Sequence, residues 1–201
     1  MNKKLLLIFI KNQIPGKVKT RLAATIGEEK ALQVYRLLLK HTYEITLPLP
    51  VAKAVYHSDY IQEDNWNPPF YENYVQSGSD LGERMRNAFE QAFATGYEQV
   101  CIIGSDCYEL TEQIILQAFE KLERNDVVIG PAQDGGYYLL GMKTLHESFF
   151  TDKKWSTDSV LPDTLNNIKA GGQTVALLPE LTDVDEEKDL ITMRDLNFSL
   201  D

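Results

Sequence analysis

The sequence predicts an α/β fold: a single Rossmann-like domain with a mostly parallel sheet and helices on both faces. Three observations lead there. Short apolar runs alternate with segments of helical periodicity along nearly the whole chain. The first run, Leu5 to Ile10, is apolar at every position, as a strand covered on both faces requires. At 201 residues, with 43% apolar and 25% charged side chains, the chain can bury a sizeable core without disulfides or metals as staples.

The elements follow in order. Lys11 to Thr20 contains Pro15-Gly16 and reads as a loop. From Glu28 to about Ile45, Ala31, Leu32, Tyr35, Leu38, Leu39 and Thr42 have helical spacing, and Pro48 and Pro50 end that helix. Val51 to Tyr56 reads as a second strand, residues 58–70 as a loop, and Tyr71 to Gln76 as a short strand. Leu81, Met85, Ala88, Phe89, Ala92 and Phe93 mark a helix stopped by Gly96, and Gln99 to Gly104 is the next strand. Thr111 is the expected N-cap of a helix with Ile114, Ile115, Ala118, Phe119 and Leu122 inward. Asp126 to Gly130 and Gly136 to Met142 are strands around the Asp134-Gly135-Gly136 turn. Ser156 or Thr157 is expected to cap a helix carrying Val160, Leu161, Leu165 and Ile168, stopped by Gly171-Gly172. Thr174 to Leu178 is the last strand, and about Glu186 to Phe198 is amphipathic and helical.

Charge narrows the function. The net charge of −10 argues against a nucleic-acid partner, which calls for a basic surface. Residues 1–27 nevertheless hold Lys3, Lys4, Lys11, Lys17, Lys19 and Arg21 and no acidic residue. A basic loop in an acidic protein is either a local anion site or a solvated face. No apolar run approaches the ~20 residues of a membrane span, so no membrane insertion is expected. Leu5 to Ile10 is shorter than the ~7–15 apolar residues of a secretion signal. With only Cys101 and Cys107, a reducing cytoplasm fits.

Two loops sit where a parallel sheet binds ligands, beyond the carboxyl ends of its strands. The first, around Lys11, Lys17, Lys19 and Arg21, can hold a diphosphate, although its spacing is not that of a Walker A loop. The second is Gly104-Ser105-Asp106-Cys107; its Asp106 either caps the next turn or holds a cation together with phosphate oxygens. Asp134-Gly135-Gly136-Tyr137 is a hairpin turn or a close approach to a ligand. In Asp183-Val184-Asp185, alternate carboxylates of an extended segment can face one cation, while Asp185 can instead cap a helix. Trp155 either stacks on a sugar or base or packs ahead of the helix. His41, His57 and His146 lack metal-ligand spacing.

In order, P-G-K-V-K-T-R-L-A, S-D-L-G-E-R-M, I-G-S-D-C, D-V-V-I-G-P-A-Q-D-G-G-Y-Y-L-L-G, W-S-T and D-V-D occur across about residues 4–192. This set resembles a bacterial glycosyltransferase A-type family of formerly unknown function, some of whose members are called arsenosugar-biosynthesis glycosyltransferases. More widely it is similar to nucleotide-diphospho-sugar transferases. The K-T-R-L-A loop also resembles that of phospholactate guanylyltransferases, and D-V-D the acidic motif of molybdenum-cofactor nucleotidyltransferases. The resemblance implies that Lys11, Lys19 and Arg21 meet nucleotide phosphates. It makes Asp106 the principal ligand of Mg²⁺ or Mn²⁺, with Asp185, or in second place Asp183, as the further carboxylate. Gly135, Gly136 and Tyr137 border the acceptor pocket; Gly82, Glu83 and Arg84 fall at the nucleotide pocket, with Ser105 and Trp155 as further substrate contacts.

Three departures stand out. Tyr108 replaces a proline frequent in the family, the Asp-x-Asp of many glycosyltransferases is absent at Asp106, and so is the Gly-Gly-x-Gly-x-Arg loop of many nucleotidyltransferases. The resemblance implies metal-dependent glycosyl transfer from a nucleotide-diphosphate sugar to a small-molecule acceptor. Lys19 and Arg21 would offset leaving-group charge, with Asp134 as general base. The alternatives are a nucleotidyltransferase taking a nucleoside triphosphate and releasing pyrophosphate, and a nucleotide-binding protein without turnover. Base, sugar, acceptor and oligomeric state are not encoded legibly.

Overall fold

The computed structural model describes residues 3–66 and 68–193. Seven strands form one sheet: β1 (Lys4–Ile10), β2 (Ala52–His57), β3 (Glu72–Val75), β4 (Gln99–Ile103), β5 (Val127–Pro131), β6 (Tyr137–Met142) and β7 (Val175–Leu177). Their order is β3-β2-β1-β4-β6-β5-β7. All neighbours are parallel except β6, which runs antiparallel to both β4 and β5. That exception follows from chain length. The turn after β5 is too short for the crossover that a parallel partner needs, so β6 folds straight back as a hairpin.

The helices are α1 (Thr20–Ile26), α2 (Glu28–Thr46), α3 (Leu81–Ala94), α4 (Glu112–Arg124) and α5 (Val160–Gly171). Strand alternation sorts them between the two faces. Leu6, Ile8 and Ile10 of β1 pack with Tyr35 and Leu39 of α2 and Ile115 and Phe119 of α4. Leu5, Leu7 and Phe9 point the other way, to Met85 and Phe89 of α3 and Ile168 of α5. A third, smaller core of Leu22, Ala31, Val34, Leu38, Val184 and Met193 lies beneath α1 and α2.

Thr111 caps α4 as expected, its hydroxyl accepting from the Ile114 N–H at 3.3 Å. Two readings need correction. The basic loop ends where expected, but a short helix the sequence did not predict, α1, begins there at Thr20. Helix α5 is preceded by Ser159, not capped by Ser156 or Thr157. The Thr157 hydroxyl is spent on the Lys154 carbonyl at 2.7 Å, and Ser156 adopts a left-handed φ of 62° that serves no cap. Glu187–Met193 forms a 3₁₀ helix; the remainder of the predicted tail helix lies outside the described residues. Among the described residues no helix is long and apolar enough to cross a membrane.

Candidate functional site

The chain leaves β1 toward β2 on one side and later returns through β4 on the other, which opens a crevice at their carboxyl ends. β1 and β4 are parallel, with Ile8 level with Ile103, so the loops after them meet at that crevice. The first loop delivers Lys19. Its φ of 48° and ψ of 45° put a non-glycine residue in the left-handed region, which costs about 1–2 kcal/mol. Its side chain is only 3% exposed, and its ammonium lies 2.7 Å from Asp106 Oδ1 and 3.2 Å from Asp185 Oδ1. Burial opposes that charge, but Asp106 and Asp185 outweigh it and raise the Lys19 pKa. Arg21, exposed at the start of α1, reaches Asp185 Oδ2 at 4.0 Å.

Asp185 arrives from the far end of the chain. After β7, Leu181 bridges to Ala132, and the Val184 N–H donates to the Asp106 carbonyl at 2.8 Å. Val184 is fully buried in the third core. Alternation then turns Asp183 and Asp185 away from that core, and both line the cleft. The helix-capping reading of Asp185 is not what the structure contains. The Asp185 carboxylate is engaged by Lys19 and Arg21, while Asp189 accepts the backbone N–H groups of Asp185 and Glu186, at 3.1 and 2.8 Å. Asp183 is half-buried. Burial, then the neighbouring charge of Asp106, with Asp134 and Asp185 adding to it against Lys19, pushes its carboxyl up to about 7.

Tyr35 holds the other end of the loop. Its hydroxyl accepts the Lys11 N–H at 2.7 Å, donates to the Lys11 carbonyl at 3.0 Å, and receives the Ser105 hydroxyl at 3.4 Å. Burial, then the Asp106 charge, raises its pKa. Sequence reasoning assigned Tyr35 only to a helix face. The available signal was the phenol itself, since a buried tyrosine hydroxyl usually has a hydrogen-bond partner.

The cleft has two lobes. A polar lobe of about 270 Å³ is lined by Lys11, Lys19, Arg21, Asp106, Asp134 and Asp185, among others. A larger lobe of about 330 Å³ adds Ser105, Gly136, Tyr137, Trp155 and Asp183. Lys11, Lys17, Arg84 and Ser156 line an adjoining groove. Most predicted site residues therefore converge. Arg84 lies in the adjoining groove, its Nε donating to the Gly78 carbonyl at 3.2 Å. Gly82 and Gly135 sit behind the wall. A Cβ on Gly82 would meet Trp155 at 2.5 Å, and one on Gly135, at φ +87°, would meet the Asp158 backbone at 2.5 Å. Asp134 stands in the β5–β6 turn, accepting the Gly136 N–H at 2.9 Å. Asp134-Gly135 is thus a hairpin turn, and Gly136 lines the cleft.

Sheet order, crevice and site together define the nucleotide-diphospho-sugar transferase fold. A protein from Desulfovibrio desulfuricans G20, described as a "putative nucleotide-diphospho-sugar transferase", has 31% identity and a TM-score of 0.88 over 99% of this chain and 90% of its own. Residues 42–157 match the family described as "Uncharacterized protein conserved in bacteria (DUF2064)", and this chain belongs to it. A cytidylyltransferase from Leptospira borgpetersenii shares the fold at 13% identity and a TM-score of 0.62, over 100% of this chain and 90% of its own. A 4-diphosphocytidyl-2C-methyl-D-erythritol synthase does so at 13% and 0.60, over 98% and 99%. No curated protein matches the chain.

Proposed function

We propose that this protein is a transferase that moves a glycosyl group from a nucleotide-diphosphate sugar to a small-molecule acceptor, with Mg²⁺ or Mn²⁺. One observation carries the reading: a buried lysine in a strained left-handed backbone, shared by two carboxylates at the crevice. Strain of that kind persists where the surroundings overdetermine it, and it gathers at functional sites.

The donor set suits a cation that arrives with a nucleotide. Among the described residues no group of three or more His, Cys, Asp or Glu side chains is arranged to hold a metal. Asp106 and Asp185 do face one point, occupied by the Lys19 ammonium. Mg²⁺ takes one or two protein carboxylates and completes its shell with phosphate oxygens and water. When bound, the cation neutralises charge on the diphosphate. Lys19 and Arg21 add fixed positive charge where the leaving group becomes more negative, and Lys11 binds a phosphate oxygen. Asp134 accepts the acceptor's proton as its oxygen bonds the anomeric carbon and the bond to the diphosphate breaks. Cys101 and Cys107 are both buried and free, in keeping with work in the cytoplasm.

One feature favours a second reading. A lone Asp106, in place of Asp-x-Asp, is typical of nucleotidyl transfer. Product analysis separates the two, with the protein incubated with nucleotide sugars or nucleoside triphosphates and Mg²⁺ or Mn²⁺. Release of a nucleoside diphosphate, abolished in Asp106→Ala, is expected. Release of pyrophosphate from a triphosphate would replace glycosyl by nucleotidyl transfer. Nucleotide binding without turnover over a broad acceptor panel would leave a binding protein.

A further inference from the structure

We infer that the acceptor end of the cleft takes an uncharged or cationic molecule with an apolar face, and turns away phosphorylated and carboxylated acceptors. The inference rests on the transferase reading of the same cleft and adds the chemical class of the acceptor.

Cationic side chains gather away from the larger lobe. Lys19 and Arg21 line the polar lobe together with Asp106, Asp134 and Asp185, and Lys17 and Arg84 line the groove beyond it with Asp59. Among the described residues lining the larger lobe, Lys11 is the one lysine or arginine, and it also borders both other spaces, so it stands at their junction. The ammonium of Lys19 is already held by Asp106 and Asp185. The larger lobe shares Asp106, Asp134 and Asp185 with the polar lobe and adds Tyr137, Trp155, Val160 and Asp183. A phosphate there would meet the carboxylates of Asp134 and Asp183. Like charges set against each other are a strong means of rejecting a partner.

The same end offers what a neutral or amine-bearing ring needs. Trp155 is held against Gly82, whose missing Cβ lets the indole approach. Such a fixed ring supplies a flat apolar surface for a sugar or aglycone. Tyr137 lines the same lobe and also packs against the core beneath it, so it adds apolar surface beside Trp155.

The test uses the full chain with Mg²⁺ and a nucleoside diphosphate at pH 8. Three probes are compared by saturation-transfer NMR: phenyl β-glucoside, its 6-phosphate, and the corresponding phenyl glucosaminide. The glucoside and the glucosaminide are expected to bind at least about tenfold more tightly than the 6-phosphate. Asp134→Lys is expected to narrow that gap. Should that variant not fold, Asp183→Asn serves the same purpose. Equal or tighter binding of the 6-phosphate, or no binding of any probe, overturns the inference. The nucleotide's own signals are read in the same samples. Loss of nucleotide binding with the probe preference intact would count against the transferase reading alone. A preference for the phosphate with nucleotide bound would count against this inference alone.

Discussion

Lys19→Met removes the ammonium that joins Asp106 to Asp185 while keeping a long apolar stem. Breaking a fully buried ion pair costs about 3–5 kcal/mol, and an exposed pair about 0.2–1. Here the lysine side chain is 3% exposed and its partners 38% and 39%, so the carboxylates recover part of their hydration when the lysine is lost. An intermediate loss of about 2 kcal/mol is expected. In a chain of this length that lowers the melting temperature by roughly 4–8 °C. Lys19→Gly deletes the same charge but relieves the left-handed backbone, so it should be about 1 kcal/mol more stable than Lys19→Met. Urea unfolding of Lys19→Met, Asp185→Asn and the double variant measures the pairing directly, with an expected coupling of about 1 kcal/mol. A coupling near zero, or Lys19→Gly less stable than Lys19→Met, would refute the bridging role. The raised Lys19 pKa also fixes a sign. Its contribution is fully present below the unfolded pKa and is lost as pH rises through the folded value, so the wild-type advantage should fade only in alkali.

Three further outcomes follow from the same geometry. The Asp183 carboxyl sits near 7 when folded against 3.8 unfolded, so the folded state holds the proton better. Stability should then fall as pH rises from about 4 to 7, and Asp183→Asn should flatten that slope by roughly 1–2 kcal/mol, allowing for solvent contact; thermal unfolding at pH 5 and 8 compares the two. Tyr35→Phe leaves the Lys11 N–H and carbonyl without their shared partner. It should cost about 1–2 kcal/mol and weaken nucleotide affinity more than it slows turnover, as steady-state kinetics would show. Gly135→Ala forces a Cβ into the Asp158 backbone at a positive φ, so a loss of about 2–4 kcal/mol is expected in urea unfolding.

The sheet and most helices were legible because burial leaves a periodic trace. Leu5 to Ile10 reads as a strand covered on both faces, and its side chains do divide between two cores. Asp106 and Lys19 were legible by position, each following the carboxyl end of a strand. Helix α1 is not legible in the sequence because its seven residues bury Leu22 alone, too little for a period to show. The left-handed Lys19 escaped because nothing local favours it; two carboxylates from distant segments hold it. Asp185 was ambiguous for the same reason. Its carboxylate is taken by Lys19 and Arg21, side chains from the other end of the chain.

Val184 gives the small core beneath α1 and α2 leverage over the cleft. Its side chain is rooted among Leu22, Val34 and Leu38, and its N–H grips the loop that bears Asp106. A methyl group trimmed from Leu38 would therefore shift where two carboxylates stand, although Leu38 meets no ligand. Drift among those aliphatic residues is heard in the cleft, so the stretch of sequence that sets its geometry extends into a layer that does not line it.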